Sequence, residues 1–263
     1  MGGKCVNVRR KEIMKKPLVF FTVADEANLH YAKMMENSLK KFYPDAPLVV
    51  IGPERLDTIL ISDKFYLMTP LIAKDLIKEY ELVIKIDADS VICGSLDHII
   101  NDDFDVGCVR NSSPKTLQVG IWDISPPEYM NCGFVAMRSE RFINHWWQLC
   151  QTKHFRKYRF REQDLLNILY QYGNYKTRCF DDLNKFHGLA SNGYWVKCEM
   201  RGDDIVLPKG EKYPDEDKTI KIIHWAGGNT PNKMNFHLHF KPSVIKRLEY
   251  LTKEENGKTK SSS

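Results

Sequence analysis

Short apolar segments rich in β-branched and aromatic residues alternate along the chain with segments whose apolar residues recur every three or four positions. Residues 18–23 read LVFFTV, and residues 82–86 read LVIKI. Runs that are apolar almost throughout predict strands buried on both faces, and a spacing of three and four predicts amphipathic helices between them. Strand–helix–strand units fold into sheets covered by helices. We therefore predict an α/β fold with a single mixed, mostly parallel sheet flanked by helices.

The same patterns give the order of the elements. The sequence predicts strands at 18–23, 47–51, 82–86, 106–109, 134–137 and 219–223. It predicts helices at 29–42, 71–79, 141–151, 162–172 and 242–251, with Ser139 as the N-cap of the third. The segment 176–214 is irregular and is left unassigned. We expect one domain over residues 17–252, with a flexible N-terminus at 1–16 and a disordered tail at 253–263.

Composition limits the classes of protein that fit. The net charge of +5 suits an anionic substrate such as a diphosphate but does not demand nucleic acid. The seven cysteines are scattered without a Cys-x-x-Cys pair, which argues against a disulfide framework and favours a reducing, cytoplasmic location. No run of about 18 apolar residues occurs, so we expect no transmembrane segment.

One of three Asp-x-Asp triplets directly follows a predicted strand: Asp87-Ala88-Asp89 comes after LVIKI. Ligands of open α/β sheets bind outside the carboxyl ends of the strands. Residues i and i+2 of an extended chain point to the same side, so Asp87 and Asp89 can share one cation while Ala88 turns away. Carboxylate oxygens suit Mg²⁺ or Mn²⁺, which also bridge phosphate oxygens. We interpret the pairs at 103/105 and 215/217 as solvated turn acids.

A histidine follows the last predicted strand in the same way. His224 begins the segment HWAGG, and an imidazole added to two carboxylates shifts the preference from Mg²⁺ toward Mn²⁺. Gly227 lets the backbone approach a ligand closely, and Lys233 is a candidate phosphate partner in the same loop. The alternatives are a histidine that is merely hydrogen-bonded at a strand end and an ordinary surface lysine.

Five segments in this order resemble the GT-A glycosyltransferases, and in particular glycosyltransferase family 8, which includes glycogenin-like and bacterial galactosyltransferase enzymes. They are FTVAD at 21–25, DAD at 87–89, NCG at 131–133, EQD at 162–164 and HWAGG at 224–228. The likeness spans about residues 18 to 233 and implies a GT-A fold with a Rossmann-like sheet. It also implies a metal-dependent hexosyltransferase that uses a UDP-sugar, prefers Mn²⁺, mostly retains configuration and acts on a glycan, lipid or protein acceptor.

The resemblance also implies roles for single residues. Asp87, Asp89 and His224 correspond to the metal ligands. The other matched positions are Thr22, Ala24 and Asp25 for uracil and ribose, Lys74 for donor phosphate or sugar, Asn131 and Gly133 beneath the donor sugar, and Gln163 and Asp164 beside the reacting centre. Amides and carboxylates at such positions orient sugar hydroxyls and stabilise the positive charge that develops at the anomeric carbon.

Two other functions remain open from the sequence. A nucleotidyltransferase acting on sugar phosphates also places metal-binding carboxylates on an α/β sheet, but it needs a glycine-rich basic loop where residues 24–27 read ADEA. A nucleic-acid-binding module could use the stretch HFRKYRFR at 154–161, which interleaves basic and aromatic residues. That stretch could also bind an acidic membrane surface or an anionic glycan, and its simplest interpretation is a solvated loop that covers the start of the next helix. The sequence does not identify the sugar, the acceptor or the oligomeric state.

Overall fold

The protein is described by a computed structural model over residues 15–54, 64–111, 117–119, 122–124, 129–152, 155–180, 197–210, 216–225, 235–238 and 240–254. The strands are β1 Lys16–Val23, β2 Leu48–Ile51, β3 Tyr80–Ile86, β4 Ser90–Ile92, β5 Val106–Arg110, β6 Leu117–Val119, β7 Trp122–Ile124, β8 Met130–Met137, β9 Thr177–Cys179, β10 Glu199–Arg201, β11 Asp204–Leu207, β12 Lys218–Thr219 and β13 Ile222–His224. The α-helices are α1 Leu29–Lys40, α2 Lys64–Leu76, α3 Asp97–Ile100, α4 Glu140–Cys150, α5 Glu162–Tyr172 and α6 Pro242–Thr252.

The central sheet has six strands in the order β2-β1-β3-β8-β5-β9. Strand β8 is antiparallel to its neighbours β3 and β5, and the other pairings are parallel. This confirms the predicted α/β fold with a mixed, mostly parallel sheet. Because β8 runs against β3, the start of β8 lies at the sheet edge where β3 ends, and the Asp87 N–H donates to the Gly133 carbonyl at 2.8 Å.

Apolar cores cover both faces of this sheet, as a strand that is apolar almost throughout requires. Val83 of β3 faces the core formed with α2, α4 and α5. Its neighbours Leu82 and Ile84 face the opposite core, which α1 also joins. A third apolar cluster joins α6 to the neighbourhood of β4, β11 and β13 and contains Trp225. The sheet therefore has two buried faces, and polar side chains collect at its ends.

Two helices follow their sequence signals closely. Helix α5 has the bounds that the sequence predicts, and α4 lies within one residue of them. The Ser139 hydroxyl accepts a hydrogen bond from the Phe142 N–H at 3.2 Å, which confirms it as the N-cap of α4.

Three of the predicted elements differ most from the structure. Helix α2 begins seven residues earlier than predicted, at Lys64, and holds Pro70 in its interior, because a helix packed against several elements is apolar on several sides and its periodicity is obscured. Strand β8 begins at Met130, so Asn131 and Gly133 lie inside the strand rather than before it. The late strand divides into β12, which pairs with β11, and β13, which pairs with β4, so His224 is the last residue of a strand.

Almost all of the predicted flexible ends, 1–16 and 253–263, lies outside the described residues. Among the helices that are described, none has the length and apolar character needed to cross a membrane.

We expect Trp146→Phe to lower the free energy of unfolding by about 1–3 kcal/mol. Trp146 is fully buried in α4, and its indole N–H donates to the Glu162 carbonyl at the start of α5, at 2.9 Å. The variant loses that hydrogen bond and leaves a small cavity. Trp147→Phe is the matched control, because Trp147 is partly exposed, and it should cost less than about 1 kcal/mol in denaturant unfolding. Equal costs for the two variants would contradict this role of Trp146.

Candidate active site

Two carboxylates and one imidazole converge where β3 ends. The Nε2 atom of His224 lies 3.1 Å from Oδ2 of Asp87 and 3.3 Å from Oδ1 of Asp89. One ligand atom from each of the three residues falls within 4.8 Å of the other two. His224 is buried, and the two aspartates keep part of their surface in contact with solvent. The carboxylate pair and the late histidine of the sequence prediction therefore form one cluster.

Backbone pairing fixes the positions of these residues. His224 stands opposite Ser90 in the antiparallel pair of β13 and β4, and the Trp225 N–H donates to the Asp89 carbonyl at 3.0 Å. Strand β4 is in turn held by α1, because the Ser38 hydroxyl accepts from the Ile92 N–H at 2.9 Å. The distance between His224 and the aspartates is thus set by strand pairing rather than by a long loop.

Gly133 leaves the space that the imidazole occupies. A Cβ atom at this position would lie 2.2 Å from Cε1 and 2.5 Å from Nδ1 of His224. Contacts shorter than about 3 Å do not occur between such atoms, so any side chain at residue 133 would displace His224 from the aspartates.

Lys85 contributes a buried positive charge to the cluster. It precedes Asp87 by two residues and therefore points to the same side of the chain. Its ammonium group donates to Oδ1 of Asp87 and, at 2.7 Å, to the Cys132 carbonyl of β8. Oδ1 of Asp87 is thus engaged by Lys85, while Oδ2 faces His224.

The neighbouring charges shift the pKa values of Asp87 and His224 in opposite directions. Burial acts to raise the pKa of Asp87, but the charges of Lys85 and His224 hold it well below its usual range. Burial alone would lower the pKa of His224, but Asp89 and Asp87 raise it to about 9. Without a bound cation the imidazole is therefore protonated at neutral pH, and Lys85 and His224 together balance the two carboxylates.

The first turn of α5 forms hydrogen bonds with the start of β8. Oε1 of Gln163 accepts from Nδ2 of Asn131 at 3.1 Å and from the Cys132 N–H at 2.9 Å. Oδ1 of Asn131 accepts from the Gly133 N–H at 2.6 Å. One turn further along α5, the buried Asn167 amide bonds the N–H and the carbonyl of Met130 at 2.6 and 2.8 Å. Gln163 and Asn131, placed at one site by the sequence resemblance, are thus in direct contact.

Asp164 faces the protein interior. It is 2 % exposed, and its two oxygens accept from the Tyr129 hydroxyl at 2.5 Å and the Phe160 N–H at 2.9 Å. Burial raises its pKa, and these hydrogen bonds act in the opposite direction. The Tyr129 hydroxyl also accepts from Nε2 of Gln163 at 3.2 Å, so Asp164 reaches Gln163 through one tyrosine.

Glu162 brings a further carboxyl group to this region. Its Oε2 atom is buried and has no hydrogen-bond partner among the described residues. Burial raises its pKa to about 8, and the neighbouring Lys85 acts to lower that value. Glu162 is therefore a second acid close to the charged cluster, and at neutral pH it is largely protonated.

The end of β1 lies beside the Asp-x-Asp turn. Ala24, Ala32 and Ala88 form a small buried cluster, so Ala88 does turn away from the carboxylates, and the chain after β1 lies next to this turn. Thr22 and Ala24 are fully buried, whereas Asp25 is partly exposed and caps the short helix Glu26–Asn28 through the Asn28 N–H at 3.0 Å.

Lys74 lies apart from the cluster. It is in the last turn of α2, beside the start of β3, and the cluster follows the end of β3, a strand of seven residues or about 20 Å. Its ammonium group stands over the Trp147 ring, 5.9 Å from the centroid. Gly227 and Lys233 lie outside the described residues.

Sequence reasoning missed four residues that shape this site: Lys85, Tyr129, Glu162 and Asn167. Two of them had a usable signal. Lys85 is a lysine inside an otherwise apolar strand, and Asn167 follows Gln163 by four residues on the same face of a helix. Tyr129 has no local pattern, because its position depends on where β8 meets α5.

The donor set fits a divalent cation. Two carboxylate oxygens and one imidazole nitrogen are ligand types that Mn²⁺ and Mg²⁺ accept, and the nitrogen favours Mn²⁺. The three ligand atoms are already close enough to surround one ion. Two neighbouring acids that are otherwise balanced by buried cationic groups provide the charge that such an ion requires.

Comparisons with known proteins identify the fold. No family model and no curated protein sequence matches the chain. Solved structures of glycosyltransferases do match. The galactosyltransferase LgtC, solved in complex with donor and acceptor sugar analogs, superposes with a TM-score of 0.56 at 12% identity, over 90% of this chain and 97% of that chain.

Two further structures agree. The bifunctional glycosyltransferase WbbM matches with a TM-score of 0.55 at 14% identity over 92% of this chain, and GlyE of Streptococcus pneumoniae TIGR4 with 0.53 at 12% over 90%. The chain spans 53% of the WbbM structure and 61% of the GlyE structure. At these identities the similarity concerns the fold, and this chain has the GT-A fold that the sequence resemblance implies.

Proposed function

We propose that the protein is a metal-dependent glycosyltransferase that moves a hexose from a nucleotide sugar to a glycan, lipid or protein acceptor. The observation that carries the proposal is the convergence of Asp87, Asp89 and His224 within 4.8 Å at the carboxyl end of β3 in a GT-A fold. A UDP-linked donor, Mn²⁺ and retention of configuration are proposed from the resemblance to family 8, with the imidazole supporting Mn²⁺.

Asp87, Asp89 and His224 would hold the cation. It would supply positive charge that stabilises the departing nucleoside diphosphate when the bond to the anomeric carbon breaks. His224 would bind as a neutral imidazole, releasing the proton that it carries in its absence. Lys85 keeps Oδ1 of Asp87 engaged, while Oδ2 faces His224 and would be the oxygen that binds the cation.

The donor sugar would lie over the start of β8. Gln163 and Asn131 present amide groups there, and these can orient sugar hydroxyls as positive charge develops at the anomeric carbon. A solved LgtC structure is an active-site mutant in which glutamine is replaced by glutamate, which supports the choice of a glutamine for this role. Asp164 would act as a positioning residue, because its oxygens hold Tyr129 and the backbone before α5 rather than facing the cleft.

The nucleotide would lie on the other side of the carboxylate pair, along the end of β1. Asp25 is the partly exposed residue there, and the buried Thr22 and Ala24 would act through the shape of the backbone. Gly227 and Lys233 remain proposed phosphate contacts, and Lys74 would need a different position of α2 to reach the donor. The cytoplasmic location is proposed from the sequence, whose seven cysteines are scattered without a Cys-x-x-Cys pair.

Thermal stabilisation by a panel of nucleotide sugars, with and without Mn²⁺, tests the proposal directly. We expect a UDP-sugar to raise the melting temperature only when Mn²⁺ is present, and to be hydrolysed slowly without an acceptor. Stabilisation by a nucleoside triphosphate with a sugar phosphate, and none by any nucleotide sugar, would favour a nucleotidyltransferase instead.

We expect Asp89→Asn to abolish Mn²⁺-dependent stabilisation by UDP and to lower turnover by about a hundredfold or more. The change removes one anionic ligand while keeping the shape of the side chain. Asp103→Asn is the control, because Asp103 belongs to another Asp-x-Asp triplet and its carboxylate pairs with Lys176 on the surface. Equal titrations with Mn²⁺ for wild type and Asp89→Asn would remove the metal assignment.

We expect Gly133→Ala to weaken Mn²⁺ binding by about 10–100-fold, because the new methyl group would push His224 away from the aspartates. Gly107→Ala in β5 is the matched control, since its Cβ would lie 2.1 Å from the Phe180 ring and its nearest neighbours include none of the three metal ligands. Both variants should lose stability, and only Gly133→Ala should lose metal affinity when binding is measured calorimetrically on folded protein.

We expect Asp164→Asn to lower the free energy of unfolding by about 1–3 kcal/mol and to change turnover by less than about tenfold. Asparagine can still accept from the Phe160 N–H, but it meets the Tyr129 hydroxyl with an altered hydrogen-bond pattern. Gln163→Ala should also lower stability, because the buried Cys132 N–H loses its acceptor, but unlike Asp164→Asn it should reduce turnover by about a hundredfold or more. A hundredfold loss of turnover in Asp164→Asn at unchanged stability would show that Asp164 acts at the reacting centre itself.

A further inference from the structure

A strongly basic segment lies between α4 and α5. Residues 155–161, FRKYRFR, contain four cationic side chains and no acid, and we name this segment the basic rim. Arg156, Lys157 and Arg159 are exposed, whereas Phe155 is buried in the main core. The segment therefore alternates between aromatic side chains that anchor it and cations that face solvent.

The conformation of the basic rim is fixed by its own last residue. Arg161 has a φ of 50°, in the left-handed region that non-glycine residues rarely adopt. Its guanidinium donates to the Arg156 carbonyl at 2.7 Å and to the Tyr158 carbonyl at 2.5 Å. A backbone strain of this kind persists where surrounding contacts over-determine it. The exposed cations are thus presented by an ordered turn.

The rim is also connected to the proposed donor site. The Phe160 N–H donates to Asp164, and Phe160 and Tyr158 pack against Tyr129. The Tyr129 hydroxyl bonds both Asp164 and Gln163. The Gln163 amide, which is proposed to face the donor sugar, is therefore connected to the basic rim through Tyr129 and Asp164.

The basic rim lies next to the start of β8, and this position indicates which substrate it could contact. The nucleotide is proposed to lie along β1, on one side of β3, whereas β8 and α5 lie on the other side. An acceptor must reach the donor sugar, which is proposed to lie over the start of β8 beside Gln163 and Asn131. The turn that carries Lys157 and Arg159 packs against Tyr129, the residue before β8, through Tyr158 and Phe160.

We propose that the basic rim receives an anionic acceptor, a glycan that carries carboxylate or phosphate groups. The inference rests on the proposed glycosyltransferase function and names the acceptor class for that site. Guanidinium and ammonium groups bind both kinds of anion, arginine through paired hydrogen bonds. Such contacts on an exposed surface weaken as salt rises.

Fluorescence anisotropy with labelled oligosaccharides tests this. The probes are tetragalacturonate, a phosphorylated mannopentaose and neutral maltotetraose, each at low and high salt. We expect one or both charged probes to bind more tightly than maltotetraose and to lose affinity at high salt. The double variant Lys157→Gln/Arg159→Gln should bind the charged probe about three- to thirtyfold more weakly, as expected for the loss of two exposed charge contacts.

Lys241→Gln/Lys246→Gln is the matched control. It removes the same charge from exposed lysines on and beside α6, a helix that packs in a different apolar cluster from α4 and α5. Its affinity for the charged probe should stay within about twofold of wild type. An equal loss in this control would show that net charge alone attracts the probe and would overturn the proposal.

Two further measurements separate the possible failures. If Mn²⁺-dependent stabilisation by UDP is absent from the wild type, the proposed function itself is wrong. If that stabilisation is present, and is unchanged in the rim variant, but charged and neutral probes bind alike, only the acceptor assignment is wrong. Tighter binding of labelled oligouridylate than of either charged glycan would overturn the proposal in favour of a nucleic-acid ligand.

Discussion

The repulsion between two carboxylates held at the end of one strand is the constraint on which the rest of the site depends. Asp87 and Asp89 lie two residues apart at the sheet edge, where burial weakens solvent screening. Positive charge must therefore come from the protein or from a cation. Lys85 supplies part of this positive charge from β3, and His224 supplies the rest from β13. The two cationic side chains therefore come from strands that are distant in sequence. A divalent ion in place of the imidazole proton would balance the two carboxylates more strongly.

The reversed direction of β8 determines what surrounds that charge. In an entirely parallel sheet, the neighbour of β3 would reach this edge with its carboxyl end and continue into a loop. Here the neighbour reaches the edge with its first residues, so Asn131 pairs with Val109 of β5 and the Gly133 carbonyl accepts from the Asp87 N–H that follows β3. The surface beneath the proposed donor sugar is thus a strand, which holds its groups more rigidly than a loop would.

The sequence predicts the features that depend on local pattern. The Asp pair follows an apolar strand, Ser139 precedes an amphipathic helix, and α5 shows its period over its full length, so a few residues suffice to predict each of them. The features that the sequence does not predict depend on tertiary packing. The strand direction of β8, and so the meeting of Gly133 with His224, is set by long-range pairing that leaves no local periodicity. The pairing of the buried Lys85 with Asp87 could be read from their shared strand face, but its bond to β8 could not.

Helix α5 joins the two halves of the proposed reaction. Gln163 contacts the strand beneath the donor sugar, Asp164 holds the turn that carries the basic rim, and Asn167 clamps the first residue of β8. All three lie within two turns of one helix, so a shift of α5 would move the start of β8 and the basic rim together. In the proposed reaction, one helix would therefore set the relative position of donor and acceptor. Precise approach of the reacting groups accounts for a large share of catalysis by enzymes that join two substrates, and a shared helix would contribute to it.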